Sequence, residues 1–150
     1  MLINAKYCMN MERMVSLMRR VKTDRNMWLL LLLNIVTCGI YSLFYWKGVE
    51  EDVNTMCAGD GKTTQNFWIA FLLGMLTCGI YQLIWLYQLH DRVYANGPRY
   101  GVITTCTGGS YLLWVLVGSM LCGIGPFIAL YKSVNDLNNV GHAYNNTIGY

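Results

Sequence analysis

Three long stretches of the chain, residues 26–46, 63–89 and 101–131, contain no Lys, Arg, Asp, Glu or His, and short charged segments separate them. Each is long enough for the roughly 20 apolar residues that carry a helix across a bilayer, so the pattern predicts three membrane spans. Beyond each span the spacing changes. Val49, Val53 and Met56, and later Val134, Leu137 and Val140, fall three or four apart, which predicts an amphipathic foot lying at the membrane surface. Ahead of the first span, Met9, Met11, Met14 and Met18 join Val15, Leu17 and Val21 on one helical face with Arg13, Arg19 and Arg20 opposite. That pattern predicts an N-terminal amphipathic helix.

The spans are copies of one another. Aligned on cysteine, NMWLLLLLNIVTCGIYSLFYW matches NFWIAFLLGMLTCGIYQLIWL, and SYLLWVLVGSMLCGIGPFIAL is a third, more diverged copy. Cys38, Cys78 and Cys122 are therefore equivalent positions, and sixteen residues further on stand Asn54, Tyr94 and Asn138. The expected organisation is a basic segment over residues 1–25, then a single membrane domain of three repeats, 26–62, 63–100 and 101–150. The fold class is all-α.

On an unbroken helix, positions four before and four after each cysteine form a stripe with it. The stripe is Asn34, Cys38 and Ser42, then Gly74, Cys78 and Gln82, then Gly118 and Cys122 with Pro126. Small and polar residues let membrane helices approach and hydrogen-bond, so it reads as a packing face, with Asn34 and Gln82 bonding between helices. Thr37 and Thr77 can return a hydroxyl to a backbone carbonyl, and Gly39, Gly79, Gly123 and Pro126 ease a bend. Aromatic anchors are expected at the interfaces: Trp28, Tyr45 and Trp46, then Trp68, Trp85 and Tyr87, then Trp114 and Tyr131. Their spacing favours single kinked spans. The alternative is a re-entrant hairpin in each repeat, broken at the glycine, with every foot on one side of the membrane.

Composition agrees with a membrane chain: 55% of residues are hydrophobic and 13% charged, against about 25% charged in soluble domains. Six of the eleven Lys and Arg precede the first span, and the net charge is +3. Basic flanks keep a terminus cytoplasmic, so the N-terminus is expected inside. Basic residues crowding residues 1–25 also argue against a cleaved signal peptide. A charge carried mostly by one flank points to a lipid bilayer as partner and away from nucleic acid.

The run KTDRNMW, the doubled TCGIY and the segment between them, over about residues 22–96, resemble the domain-of-unknown-function 4234 family of bacterial membrane proteins. The resemblance implies a multi-pass protein of the bacterial cytoplasmic membrane, and it carries no reaction, ligand or catalytic residue. The third copy departs from the motif, with Leu121 for the threonine and Gly125–Pro126 after the isoleucine.

Chemical motifs are sparse. Cys38, Cys78 and Cys122 could in principle converge on Cu(I) or Zn(II), but a spacing of 40 and 44 residues is no known ligand pattern and buried cysteine is a common packing residue. No metal or other cofactor is expected. Cys8, Cys57 and Cys106 fall near the predicted membrane edges. GDGKTT at residues 59–64 lacks the first glycine of a phosphate-binding loop and reads as a turn. No nucleophile has a base at a suggestive spacing, so no enzymatic activity is expected. Helix association remains, as a scaffold, regulator or subunit partnered by further copies of the chain or by another membrane protein. The alternative is an oligomeric channel or transporter for a small solute or ion.

Overall fold

The computed structural model describes residues 19–120 and 122–149; most of the expected N-terminal helix lies outside the described residues, and Arg19, Arg20 and Val21, the part within them, are not helical. Among the described residues the regular structure is helical throughout. Each apolar run folds as two helices where a single span was expected: α1 (Met27–Val36) and α2 (Ile40–Met56), α3 (Phe67–Leu76) and α4 (Ile80–Asn96), α5 (Gly108–Met120) and α6 (Gly125–Thr147). Short 3₁₀ turns, Ala58–Asp60 and Gly97–Tyr100, follow α2 and α4.

The single kinked span is thus corrected to a helical hairpin. Its cause is local: Cys38, Cys78 and Cys122 sit at φ of 50°, 50° and 56°, and the glycine after each is also left-handed, a backbone no α-helix can continue through. Asn26 and Asn66 cap the first arms by accepting the N–H of Trp28 and Trp68. Among the described residues no helix is long and apolar enough to cross a membrane.

The foot is not a separate surface helix either. It is the second half of the long arm, and α2, α4 and α6 run from the apolar turn into the polar end without a break. These three arms each touch the other two. The short arms fill the gaps between them: α1 lies against α2 and α6, α3 against α2 and α4, and α5 against α4 and α6.

Residues at matching or adjacent offsets from the cysteine meet between neighbouring repeats at several heights, Trp46 on Trp85, His90 on Ser133 and Tyr100 on Tyr144. Eleven residues past the cysteine stand Val49, Leu89 and Ser133; fifteen past it, Val53, Val93 and Leu137; eighteen past it, Met56, Asn96 and Val140; all nine are buried. Matching register in mutually packed arms requires that they run parallel. All three feet therefore lie at one end and all three turns at the other.

Candidate functional site

TCGIY builds the hairpin turn. Thr37 donates its hydroxyl to the Leu33 carbonyl (2.7 Å) and accepts the Tyr41 N–H (3.0 Å), closing the end of α1 and the start of α2 with one side chain. Thr77 repeats this with Leu73 (2.8 Å) and Tyr81 (3.0 Å). The Gly39 N–H reaches back to the Asn34 carbonyl at 2.7 Å, and the Cys38 N–H to that of Ile35 at 3.4 Å, the paired bonds that close a helix C-terminus through left-handed residues. The third copy dispenses with the threonine: Pro126 stands in the first turn of α6, and a proline there has no N–H to satisfy.

The arms then pack on each other. A Cβ at Gly125 would lie 2.1 Å from the Trp114 carbonyl oxygen and 2.3 Å from Gly118 Cα, so backbone meets backbone. At Gly74 the nearest atom would be Gln82 Cβ at 3.3 Å. Gly74, Gly118 and Gln82 thus pack within their own hairpins. Cys38, Cys78 and Cys122 are exposed at the turns, because the break turns them out of the stripe an unbroken helix would have made. Ser42 donates to the Gly39 carbonyl at 2.6 Å. Asn34 Oδ1 and Gln82 Oε1, expected to bond between helices, are buried without a partner among the described residues.

The turn end of the molecule is a largely apolar surface without a charged residue. Ile35, Val36 and Ile40, then Met75, Leu76 and Ile80, then Met120 and Ile124 all face outward, Leu76 and Met120 by 81% and 86%. Among the expected anchors, Trp28, Trp68, Tyr87 and Tyr131 are exposed, while Tyr45, Trp46 and Trp114 are half-buried. Trp85 is corrected to a core residue: it is 1% exposed, and its indole N–H bonds the Gln65 carbonyl at 2.8 Å. It belongs to an inner arm, so its ring falls inside the bundle.

The foot end is polar, and much of it is buried. Fourteen residues past each cysteine, a side chain grips the backbone sixteen residues before that cysteine: Asp52 accepts the Lys22 N–H (3.2 Å), Arg92 donates to the Lys62 carbonyl, and Asp136 accepts the Cys106 N–H (2.7 Å). Two residues later the grip passes to the next repeat. Asn54 makes two hydrogen bonds to the Thr64 backbone and Asn138 two to that of Arg25, while the Tyr94 carbonyl accepts the Thr104 hydroxyl. The third repeat holds the entry to the first, so the ring closes.

The buried cations of this network, Arg25 and Arg92, are each paired with a carboxylate. The Arg25 guanidinium donates to Asp52, with both side chains under a tenth exposed. Arg92 binds Asp60, Asn54, Thr64 and the Cys57 carbonyl. Burial works to raise the Asp60 carboxyl, but Arg92, the Lys62 N–H and Asn96 outweigh it and hold it at about 2. Burial raises the Cys57 and Cys106 thiols to about 12, which leaves them protonated and unreactive.

One pairing was invisible in the sequence. His90 Nδ1 lies 2.7 Å from the Leu86 carbonyl, which can only accept, so Nδ1 carries the proton and Nε2 accepts the Ser133 hydroxyl at 2.7 Å. Tyr111 stacks on the imidazole at 3.9 Å. A serine oriented on a histidine has the outline of a nucleophile and base. Yet Ser133 and His90 are 1% and 2% exposed, leaving no face for a substrate, and burial lowers the imidazole to about 4. Forty-three residues and a repeat boundary separate the pair, so no local spacing signals it. Among the described residues no group of three or more His, Cys, Asp or Glu could hold a metal ion.

Taken together, these features define a class: an all-helical ring of three repeated hairpins with an apolar turn end and a polar, hydrogen-bonded foot end. The sequence matches the family described as Domain of unknown function (DUF4234) twice, over residues 25–95 and 67–139. The two matches together cover well over half of the chain, and the chain belongs to that family. No curated protein and no solved structure matches it.

Proposed function

We propose that the protein is a non-enzymatic membrane scaffold whose three hairpins enter one leaflet, turns first, while the feet remain at the polar surface. The observation that carries this reading is the turn end: a continuous apolar surface without a charged residue, built by all three repeats on one side of a polar foot. In water such a surface is costly, at about 25 cal/mol per Å² of apolar area. Short arms of 10 residues reach about 15 Å at 1.5 Å per residue, about half of a 30 Å hydrocarbon core. The broken backbone is tolerable at that depth because Thr37, Thr77 and the left-handed turns satisfy their own polar groups. Val53, Val93 and Leu137 belong to one buried core cluster, and a packed core between the long arms favours a scaffold over conduction through one chain.

Single cysteines at positions 20, 91 and 139, in a background lacking the native ones, test the insertion. In sealed vesicles all three should react with an impermeant maleimide from the same face, and Cys38, Cys78 and Cys122 of the native chain from neither. Labelling of position 139 from the face opposite to position 20 would indicate full spans and overturn the hairpin reading.

A further inference from the structure

Two clefts at the foot end are the same place in two different repeats. One, of about 540 Å³, is lined by Lys22, Thr23, Asp24, Gly48 and Asp52 together with Arg19 and Arg20. The other, of about 340 Å³, is lined by Lys62, Thr63, Thr64, Gln88 and Arg92 together with Asp60 and Asp91. Counted from Cys38 and Cys78, the five residues named first in each cleft stand at identical offsets: sixteen, fifteen and fourteen before the cysteine, and ten and fourteen after it. A recurrence of that kind is a property of the repeat.

The charge balance of the clefts is also alike. Asp52 is taken up by Arg25 in a buried ion pair, and Arg92 by Asp60 in a partly buried one. Arg19 is paired with Glu51. Lys22 and Asp24 remain at the rim of the first cleft with Arg20, and Lys62 and Asp91 at the rim of the second. Among the described residues, neither lysine ammonium has a hydrogen-bond partner. Each lysine stands six residues before an exposed tryptophan, Trp28 or Trp68, where the polar foot gives way to the apolar hairpin.

From this geometry we infer that each cleft takes the headgroup of a phospholipid, with the phosphate on Lys22 or Lys62 and the adjacent threonine hydroxyl. The amine of a phosphoethanolamine headgroup then lies toward Asp24 or Asp91. The acyl chains run down the hairpin beside the tryptophan. In the third repeat Cys106, which is buried, replaces the lysine, and the cation moves to Lys132, whose ammonium lies over the Trp114 ring at 5.8 Å. The expected stoichiometry is therefore two lipids per chain. This inference rests on the membrane reading above.

Native mass spectrometry of the full chain, released from detergent with added phosphatidylethanolamine, tests it. Two lipids should be retained on the native chain, one on Lys22→Met or Lys62→Met, and none on the double variant. Diacylglycerol, which lacks the phosphate, should not be retained. Two lipids on the double variant, or equal retention of diacylglycerol, would refute the assignment; displacement by millimolar inorganic phosphate would make the site one for free phosphate and refute the lipid. Flotation with phosphatidylcholine vesicles separates the two readings. A double variant that floats like the native chain while losing its lipids supports both, and a native chain that floats but retains none removes only the clefts. A native chain that does not float removes both.

Discussion

His90 holds the centre of the polar layer as a neutral ring, enclosed by Ser133, Tyr111, Trp46 and the Leu86 carbonyl. Its pKa falls from 6.5 to about 4 through burial. The unfolded chain therefore binds a proton that the folded chain refuses. The resulting stability is complete above pH 6.5 and is lost as the pH drops toward 4, by about 3 kcal/mol at about 1.4 kcal/mol per pH unit. Thermal unfolding in detergent should shift steadily downward between pH 6.5 and 4.5, and His90→Gln should flatten that slope. An unchanged slope in the variant would assign the titration elsewhere. Asp60, held at about 2, loses its contribution only below the usual carboxylate range, outside this window.

The hairpin is the element of this fold, and its turn and packing were legible to different degrees. TCG was marked as a bend by its threonine and glycine. What the letters do not state is that cysteine adopts the left-handed backbone at φ 50°, a conformation costing a non-glycine residue roughly 1–2 kcal/mol. The tertiary packing of the two arms over-determines that choice. Packing also separates the glycines. Gly125→Ala drives a Cβ into the Trp114 carbonyl and Gly118 and should destabilise by about 3 kcal/mol, at the upper end of overpacking costs. Gly74→Ala meets the Gln82 side chain at 3.3 Å and its backbone nitrogen only at an ordinary 3.7 Å, and the better helix propensity of alanine offsets about 1 kcal/mol, so it should be near neutral. Denaturation midpoints of the two variants check the order; equal losses would contradict direct backbone contact at Gly125.

At the scale of the whole molecule the ring is closed by two asparagines of α6. Asn138 pairs with the backbone of Arg25, and Asn145 with both the N–H and the C=O of Val21. Between them Gly141 leaves room for Thr23 and Val21, so the entry segment packs against α6. Asn138→Ala with Asn145→Ala removes four hydrogen bonds of about 1 kcal/mol each and should free residues 21–25 without unfolding the hairpins. Trypsin should then cut after Arg25, which is buried in the native chain, many times faster than before, while helix content by circular dichroism stays constant. Equal cutting rates would mean that other contacts hold the segment.

The helical class, the repeat, its period and the equivalence of Asn54, Tyr94 and Asn138 follow from the sequence alone, because hydrophobic period and self-similarity are local properties. So does the apolar character of the turn end, since no charge interrupts those runs. The number of helices in each run is where the sequence misleads: aromatic spacing favours a single span, and the left-handed cysteine and glycine make it a hairpin. Tertiary structure alone put Glu50, Asp52, Arg92 and Asp136 into the interior, for a buried charge is stable only where a distant backbone or partner completes its bonds. It also brought Ser133 to His90 and matched the two clefts across repeats, contacts that depend on how three hairpins close into a ring.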